Sequence, residues 1–126
     1  MLLGVLFVPM NGSAKADEVL YCQTELAPGL AQKEDGTWTI GYFQRKRFTV
    51  KVTGDFEKVI GLDRDKEFEC HFPYSWNPIA IVCHYKESET FLYEKSSKRF
   101  VYYLVNTSTY LQPDTPIMYA GTCEKF

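Results

Sequence analysis

The chain has 126 residues, enough for one domain, and is 45% hydrophobic, 24% charged and 16% aromatic. That balance excludes a disordered tail, a collagen-like chain and a coiled coil, and nine Phe, nine Tyr and two Trp favour strands over helices. A formal net charge of −2 sets aside a general nucleic-acid binder, which would be basic.

Residues 2–10, from Leu2 to Met10, form an apolar run of signal-peptide length, too short to span a bilayer. Asn11-Gly12-Ser13 and Ala14-Lys15-Ala16 follow. Small residues at Ala14 and Ala16 suit a signal peptidase, although no basic residue precedes the apolar run. The expectation is a leader over 1–16, cleaved after Ala16, and a single β domain over 17–126. A bulky Tyr21 before Cys22 argues against lipidation. No later stretch is apolar enough to cross a membrane, so no stable membrane insertion is expected.

Beyond the leader, Leu26 to Lys33 reads as one possible helical turn. Trp38 to Tyr42 and Phe48 to Val52 alternate apolar and polar residues, as do Phe68, Cys70 and Phe72 with their neighbours. Residues 55–62 fit a strand or a short helix. Ile79 to Cys83, Phe91 to Tyr93, Phe100 to Val105 and Ile117 to Ala120 complete the apolar runs. Turn signals separate them at Pro28-Gly29, Glu34-Asp35-Gly36, Thr53-Gly54-Asp55, Asp63-Arg64-Asp65, Pro73 to Pro78, Glu94 to Lys98 and Gln112 to Pro116. About eight short strands at this spacing predict an all-β domain, a small antiparallel barrel or sandwich.

Cys22, Cys70, Cys83 and Cys123 make an even set in a chain read as exported, which implies a disulfide framework with three possible pairings. Cys70–Cys83 is favoured because a hairpin would bring those strands together. Cys22–Cys123 would then tie the first strand to the last, as closure requires. Loop-closure entropy assigns the short loop roughly 3 kcal/mol and the long one roughly 4–5 kcal/mol. Cys70-His71 and Cys83-His84 repeat a pair of zinc-type ligands. Neighbours along a strand point to opposite faces, and C-x-x-C spacing is absent, so no metal is expected.

Motifs for catalysis are missing: no G-x-S-x-G, H-E-x-x-H, P-loop or dinucleotide fingerprint occurs. No catalytic residue and no cofactor is expected. Asp63-Arg64-Asp65 lacks the remaining ligands of a calcium loop. Arg45-Lys46-Arg47 reads as a charged hairpin turn that blunts strand pairing. The segment His71 to Pro78 carries three aromatics and two prolines in eight residues, between two cysteines. Phe72, Tyr74, Trp76 and Asn77 are its candidate partner-binding residues. Rigid Tyr and Trp anchor interfaces, and the competing role for the same rings is to plug the end of a core.

The early Cys22, the mid-chain Cys70 and Cys83, the stretch Thr90 to Tyr93 with Lys98 to Tyr102, and above all Gly121-Thr122-Cys123-Glu124-Lys125-Phe126 resemble a group of small exported proteins of Gram-negative bacteria. That group has no established activity, so the resemblance implies a location, periplasmic or secreted, rather than a mechanism. A weaker resemblance is to periplasmic inhibitors of c-type lysozyme, which are small disulfide-bonded β-barrels; their Ser-Gly-containing inhibitory loop has no counterpart here. The functional expectation is a non-enzymatic exported binding protein with a protein or cell-envelope partner. The alternatives are an inhibitor of a cell-wall hydrolase and an enzyme of unrecognised type.

Overall fold

The computed structural model of the chain describes residues 16–62, 66–73, 79–106 and 115–125. They form ten antiparallel strands: β1 (Glu18–Leu26), β2 (Pro28–Gln32), β3 (Trp38–Tyr42), β4 (Arg47–Val52), β5 (Lys58–Ile60), β6 (Glu67–His71), β7 (Ala80–Tyr85), β8 (Glu89–Glu94), β9 (Arg99–Asn106) and β10 (Thr115–Lys125). No helix occurs among the described residues. Eight strands close into a barrel in the order β1-β4-β5-β6-β7-β8-β9-β10, with β10 paired back to β1. Of the two architectures the strand pattern allowed, the chain adopts the barrel. From β4 onward each barrel strand pairs with its successor, and the β1–β4, β1–β10 and β2–β10 ladders join distant parts of the sequence.

Alternation places one face of every barrel strand inside. Leu20 and Cys22 of β1, Phe48, Val50 and Val52 of β4, Phe68 of β6, Phe91 and Tyr93 of β8, and Phe100 and Tyr102 of β9 are buried. Aromatic rings fill the lumen. Phe48 meets Phe100, Tyr102 and Tyr119 edge to face at centroid distances of 6.2, 5.5 and 5.6 Å. Each such contact contributes roughly 0.5–1.5 kcal/mol beyond the area it buries. The lumen is therefore a packed core.

Both disulfides form as the strand pattern suggested, Cys22–Cys123 and Cys70–Cys83. Each joins residues directly opposite in a ladder, the first between the closing strands β1 and β10, the second between β6 and β7. Residues 55–62 contain a turn and the three-residue strand β5, not a helix.

The segment Leu26 to Lys33 is not a helical turn. Pro28 and Gly29 disfavour helix, and β3 offers these residues a ladder partner, so they form β2. The β1–β4 and β2–β3 ladders share one register. Five residues on from Gln23↔Arg47, and five back along the other strand, lies Pro28↔Tyr42. Bonds across the intervening stretch, from Thr24 N–H to Lys46 C=O and from Phe43 N–H to Ala27 C=O, keep the same pairing. β1 with β2 and β3 with β4 are thus the two arms of one long hairpin, turned at Glu34-Asp35-Gly36. Half of it lies in the barrel wall, and half leaves the wall as a two-stranded ribbon.

The departure point is a bulge. β1 pairs Thr24 with Gly121 but Leu26 with Ala120, so Glu25 is the extra residue that bends the strand. Gly121 allows it, because a Cβ there would sit 1.9 Å from the Gln23 carbonyl oxygen. Arg45 and Lys46 stand in the second arm beside this bend, between β3 and β4, and Arg47 opens β4, so the basic run is not itself the hairpin turn. Lys46 Nζ lies over the Tyr119 ring at 5.7 Å.

Candidate functional site

Three clusters could carry function: the aromatic loop between the inner cysteines, the polar side chains around β8, and the ribbon. Of the expected contact residues in the loop, Phe72 is described. It is 38% exposed and rests on Phe56 at 6.2 Å between ring centroids. Phe56 has φ 59, a conformation few bulky residues adopt, in the turn between β4 and β5. Lys95 Nζ lies over the Phe56 ring at 4.1 Å from its centroid. Phe72 therefore has a packing role at the base of the loop. Tyr74, Trp76 and Asn77 lie outside the described residues.

The two Cys-His pairs separate by face. The sulfurs bond to each other, and His71 and His84 stack on the outer surface with ring centroids 5.6 Å apart. His84 Nδ1 lies 3.3 Å from Thr90 Oγ1. Among the described residues no group of three or more His, Cys, Asp or Glu is arranged to hold a metal ion. A shallow charged hollow of about 320 Å³ beside His84 is flanked by the Lys58–Glu67 ion pair at 3.3 Å.

Sequence reading missed the buried carboxylate Glu89. The Tyr102 hydroxyl donates to its Oε1, and Lys66 Nζ donates to Oε2 at 2.8 Å. Lys66 also faces the Tyr85 ring at 4.9 Å. Each carboxylate oxygen thus has a donor. This is the arrangement that makes a buried charge tolerable, and it anchors β8 to β9 and to the segment before β6.

The ribbon is where apolar surface is left uncovered. Even-numbered residues of β2 and β3 share one face: Pro28 opposite Tyr42, Leu30 opposite Ile40, Gln32 opposite Trp38. Trp38, Ile40 and Tyr42 are 55%, 65% and 80% exposed. The reverse face carries only Gly29, Ala31, Thr39 and Gly41, and Gly29 lies directly opposite Gly41. The Phe43 ring covers that bare pair, so close that a Cβ on Gly29 would meet it at 2.4 Å. Where β2 meets β10 through Ile117↔Gly29, an apolar groove of about 330 Å³ runs between Leu30, Ile40, Tyr103, Pro116, Ile117 and Met118. Tyr103 and Met118 add exposed apolar area on the barrel side.

Comparison with known protein families, curated proteins and solved structures finds no match. The chemistry of this surface therefore rests on its own geometry. It offers aromatic and aliphatic side chains. Hydrogen bonds from Thr37 and Thr53 hold the exposed Asp35 and Asp55 carboxyls below their ordinary range, and burial followed by the charge of Glu18 raises the Tyr93 phenol. The sequence signal for the ribbon was present in Trp38 to Tyr42. Period-two alternation says that two faces differ, not which of them is covered.

Proposed function

We propose that this chain is an exported, non-enzymatic interaction protein: a rigid disulfide-bonded barrel that presents the β2–β3 ribbon and its adjoining groove to a protein or cell-envelope partner. The observation that carries the reading is the apolar ribbon face, with Trp38, Ile40 and Tyr42 more than half exposed beyond a barrel that needs none of them for its core. Exposed contiguous apolar surface of this kind marks interaction sites, and Trp and Tyr supply large contact area at low entropic cost. Two disulfides in a small β fold fit an extracellular compartment and support the leader read in residues 1–16. The barrel's aromatic interior, with Lys51, Lys58, Glu67 and Glu69 outside, has the opposite polarity to a membrane barrel and supports a water-facing protein. No described helix is long and apolar enough to cross a membrane.

The test compares oxidised protein with the double variant Trp38→Ser, Tyr42→Ser in capture from a periplasmic extract. Loss of a specific captured species, with unchanged circular dichroism and melting temperature, is expected. Equal capture by both proteins would reject the ribbon as the contact surface, and Tyr74→Ala with Trp76→Ala would then examine the loop. A second reading, inhibition of a cell-wall hydrolase, is favoured by the closed disulfide-bonded barrel, the architecture that the resemblance to lysozyme inhibitors implied. Lysis of cell-wall suspensions by c-type lysozyme, with and without the protein, decides it.

A further inference from the structure

The ribbon has a free edge as well as an apolar face. β3 ends the strand order and pairs, among the described residues, only with β2. The bonds from Lys33 N–H to Thr37 C=O and from Phe43 N–H to Ala27 C=O set the phase of that ladder. Odd-numbered residues of β3 bond to β2, and Trp38, Ile40 and Tyr42 aim N–H and C=O at the open side. Proteins usually protect such an edge with Lys, Pro or a bulge. Trp-Thr-Ile-Gly-Tyr over 38–42 has none of these.

We infer that the occupant of this edge is a second copy of the chain, paired β3 to β3 in antiparallel fashion about a two-fold axis at Ile40. This deepens the reading of the ribbon as a contact surface and rests on it. Three features agree on the register. First, the outward-facing residues match each other: Ile40 meets Ile40 of the second copy, and Trp38 meets its Tyr42, so all three exchange backbone hydrogen bonds. Second, the same register sets Trp beside Tyr twice on the apolar face, a favourable cross-strand aromatic pair. Third, the flanking charges are complementary about the same point. Glu34 and Asp35 lie six and five residues before Ile40, and Arg45 and Lys46 five and six after it. All four are exposed. Antiparallel pairing centred on Ile40 brings the acidic turn Glu34-Asp35 of each copy to the level of the basic stretch Arg45-Lys46 of the other. A shift of register by two residues loses both Trp–Tyr pairs. The contact is isologous, so it consumes both edges and stops at two copies. The resulting four-stranded sheet, β2-β3-β3-β2, leaves its doubled apolar face open to a further partner.

The experiment is sedimentation equilibrium of the oxidised chain from about 1 µM to about 300 µM, the range in which small interfaces dissociate. The expected result is a mass rising from one chain to two, with amide exchange at Trp38, Ile40 and Tyr42 slowing as concentration rises. Ile40→Pro removes a donor that β2 does not use, and should abolish the dimer while preserving the circular dichroism of the monomer. Glu34→Lys and Lys46→Glu should each weaken association roughly tenfold, since each reverses a charge at both ends of the symmetric contact, and the combined variant should regain most of it. A monomer at every concentration overturns the proposal, as does a dimer indifferent to both Ile40→Pro and the charge reversals. Slow exchange at Ile40 that ignores concentration also overturns it, because the chain's own residues would then cover the edge. Partner capture by a strictly monomeric chain would leave the ribbon's interaction role standing and remove only the dimer.

Discussion

Replacing Gly121 by Ala tests how the barrel is closed. The added Cβ would lie 1.9 Å from the Gln23 carbonyl oxygen, 2.9 Å from its carbon and 3.0 Å from Thr24 Cα. All three are backbone atoms, so no side-chain rotation relieves the overlap. An ordinary C···O contact is about 3.3 Å, so β1 and β10 must part locally by roughly 1.4 Å. An N–H···O bond stretched that far is lost. Two ladder bonds around Gln23↔Thr122 and Thr24↔Gly121 are at risk, and the Cys22–Cys123 bridge next to them prevents the strands from drifting apart together. At about 1 kcal/mol per bond, plus about 1–3 kcal/mol for polar groups left buried, the cost is on the order of 3–5 kcal/mol. In urea this lowers the unfolding midpoint by about 2 M. Gly36→Ala is the control. Gly36 has φ +88 with nothing within 4 Å of a Cβ, so that change adds only conformational strain of about 1 kcal/mol. A Gly121→Ala midpoint shift no larger than that of Gly36→Ala would refute the account of closure.

Glu89→Ala should cost about 3 kcal/mol in urea unfolding, the low end for breaking a buried pair because Lys66 keeps access to water, and Glu89→Gln should cost less by retaining the Tyr102 contact. Burial raises the Tyr93 phenol above its ordinary value of about 10, so above that pH the unfolded chain releases a proton that the folded one still holds. This stability contribution is complete below about pH 10 and declines as pH rises through the raised folded value; Tyr93→Phe should flatten part of the alkaline decline in melting temperature. Lys98 has φ 63 in the β8–β9 turn, and Lys98→Asn should stabilise by about 0.5–1 kcal/mol, read as a rise of a few degrees in melting temperature.

Much of the barrel was legible because alternation is local. Phe48, Val50 and Val52, or Phe68 and Cys70, announce a half-covered strand within five residues, and the cysteines then fall opposite each other once neighbouring strands pair. The ribbon was harder to read. Trp38, Ile40 and Tyr42 repeat at the same period as Phe48, Val50 and Val52, yet the first set faces out and the second in. The difference depends on the bulge at Glu25, and that depends on Gly121, about a hundred residues away. β2 was hidden for a related reason: Leu30, Ala31 and Gln32 suit a helix locally, and only the ladder to β3 decides against it. The Glu89–Tyr102–Lys66 cluster needs three elements to converge, so no spacing in the sequence signals it. Of the loop residues proposed as contacts, Phe72 was legible as aromatic and near the surface, but its packing on Phe56 follows from a turn conformation that sequence alone does not reveal.

The Cys22–Cys123 bridge also dictates a schedule of oxidation. Its loop spans 101 residues, against 13 for Cys70–Cys83. During synthesis Cys22 is followed by Cys70 and Cys83 well before its native partner is made. Wherever oxidation keeps pace with emergence of the chain, the first bridge available to Cys22 is a wrong one, and it must be exchanged by thiolate attack once β10 arrives. The short native bridge has the opposite history, since its two sulfurs emerge almost together. Because a wrong Cys22 bridge occupies Cys70 or Cys83, a disulfide isomerase acting as the chain emerges should speed formation of both native bridges. A chain interrupted before Cys123 would carry three cysteines and so keep one unpaired, reactive thiol, marking it chemically as unfinished.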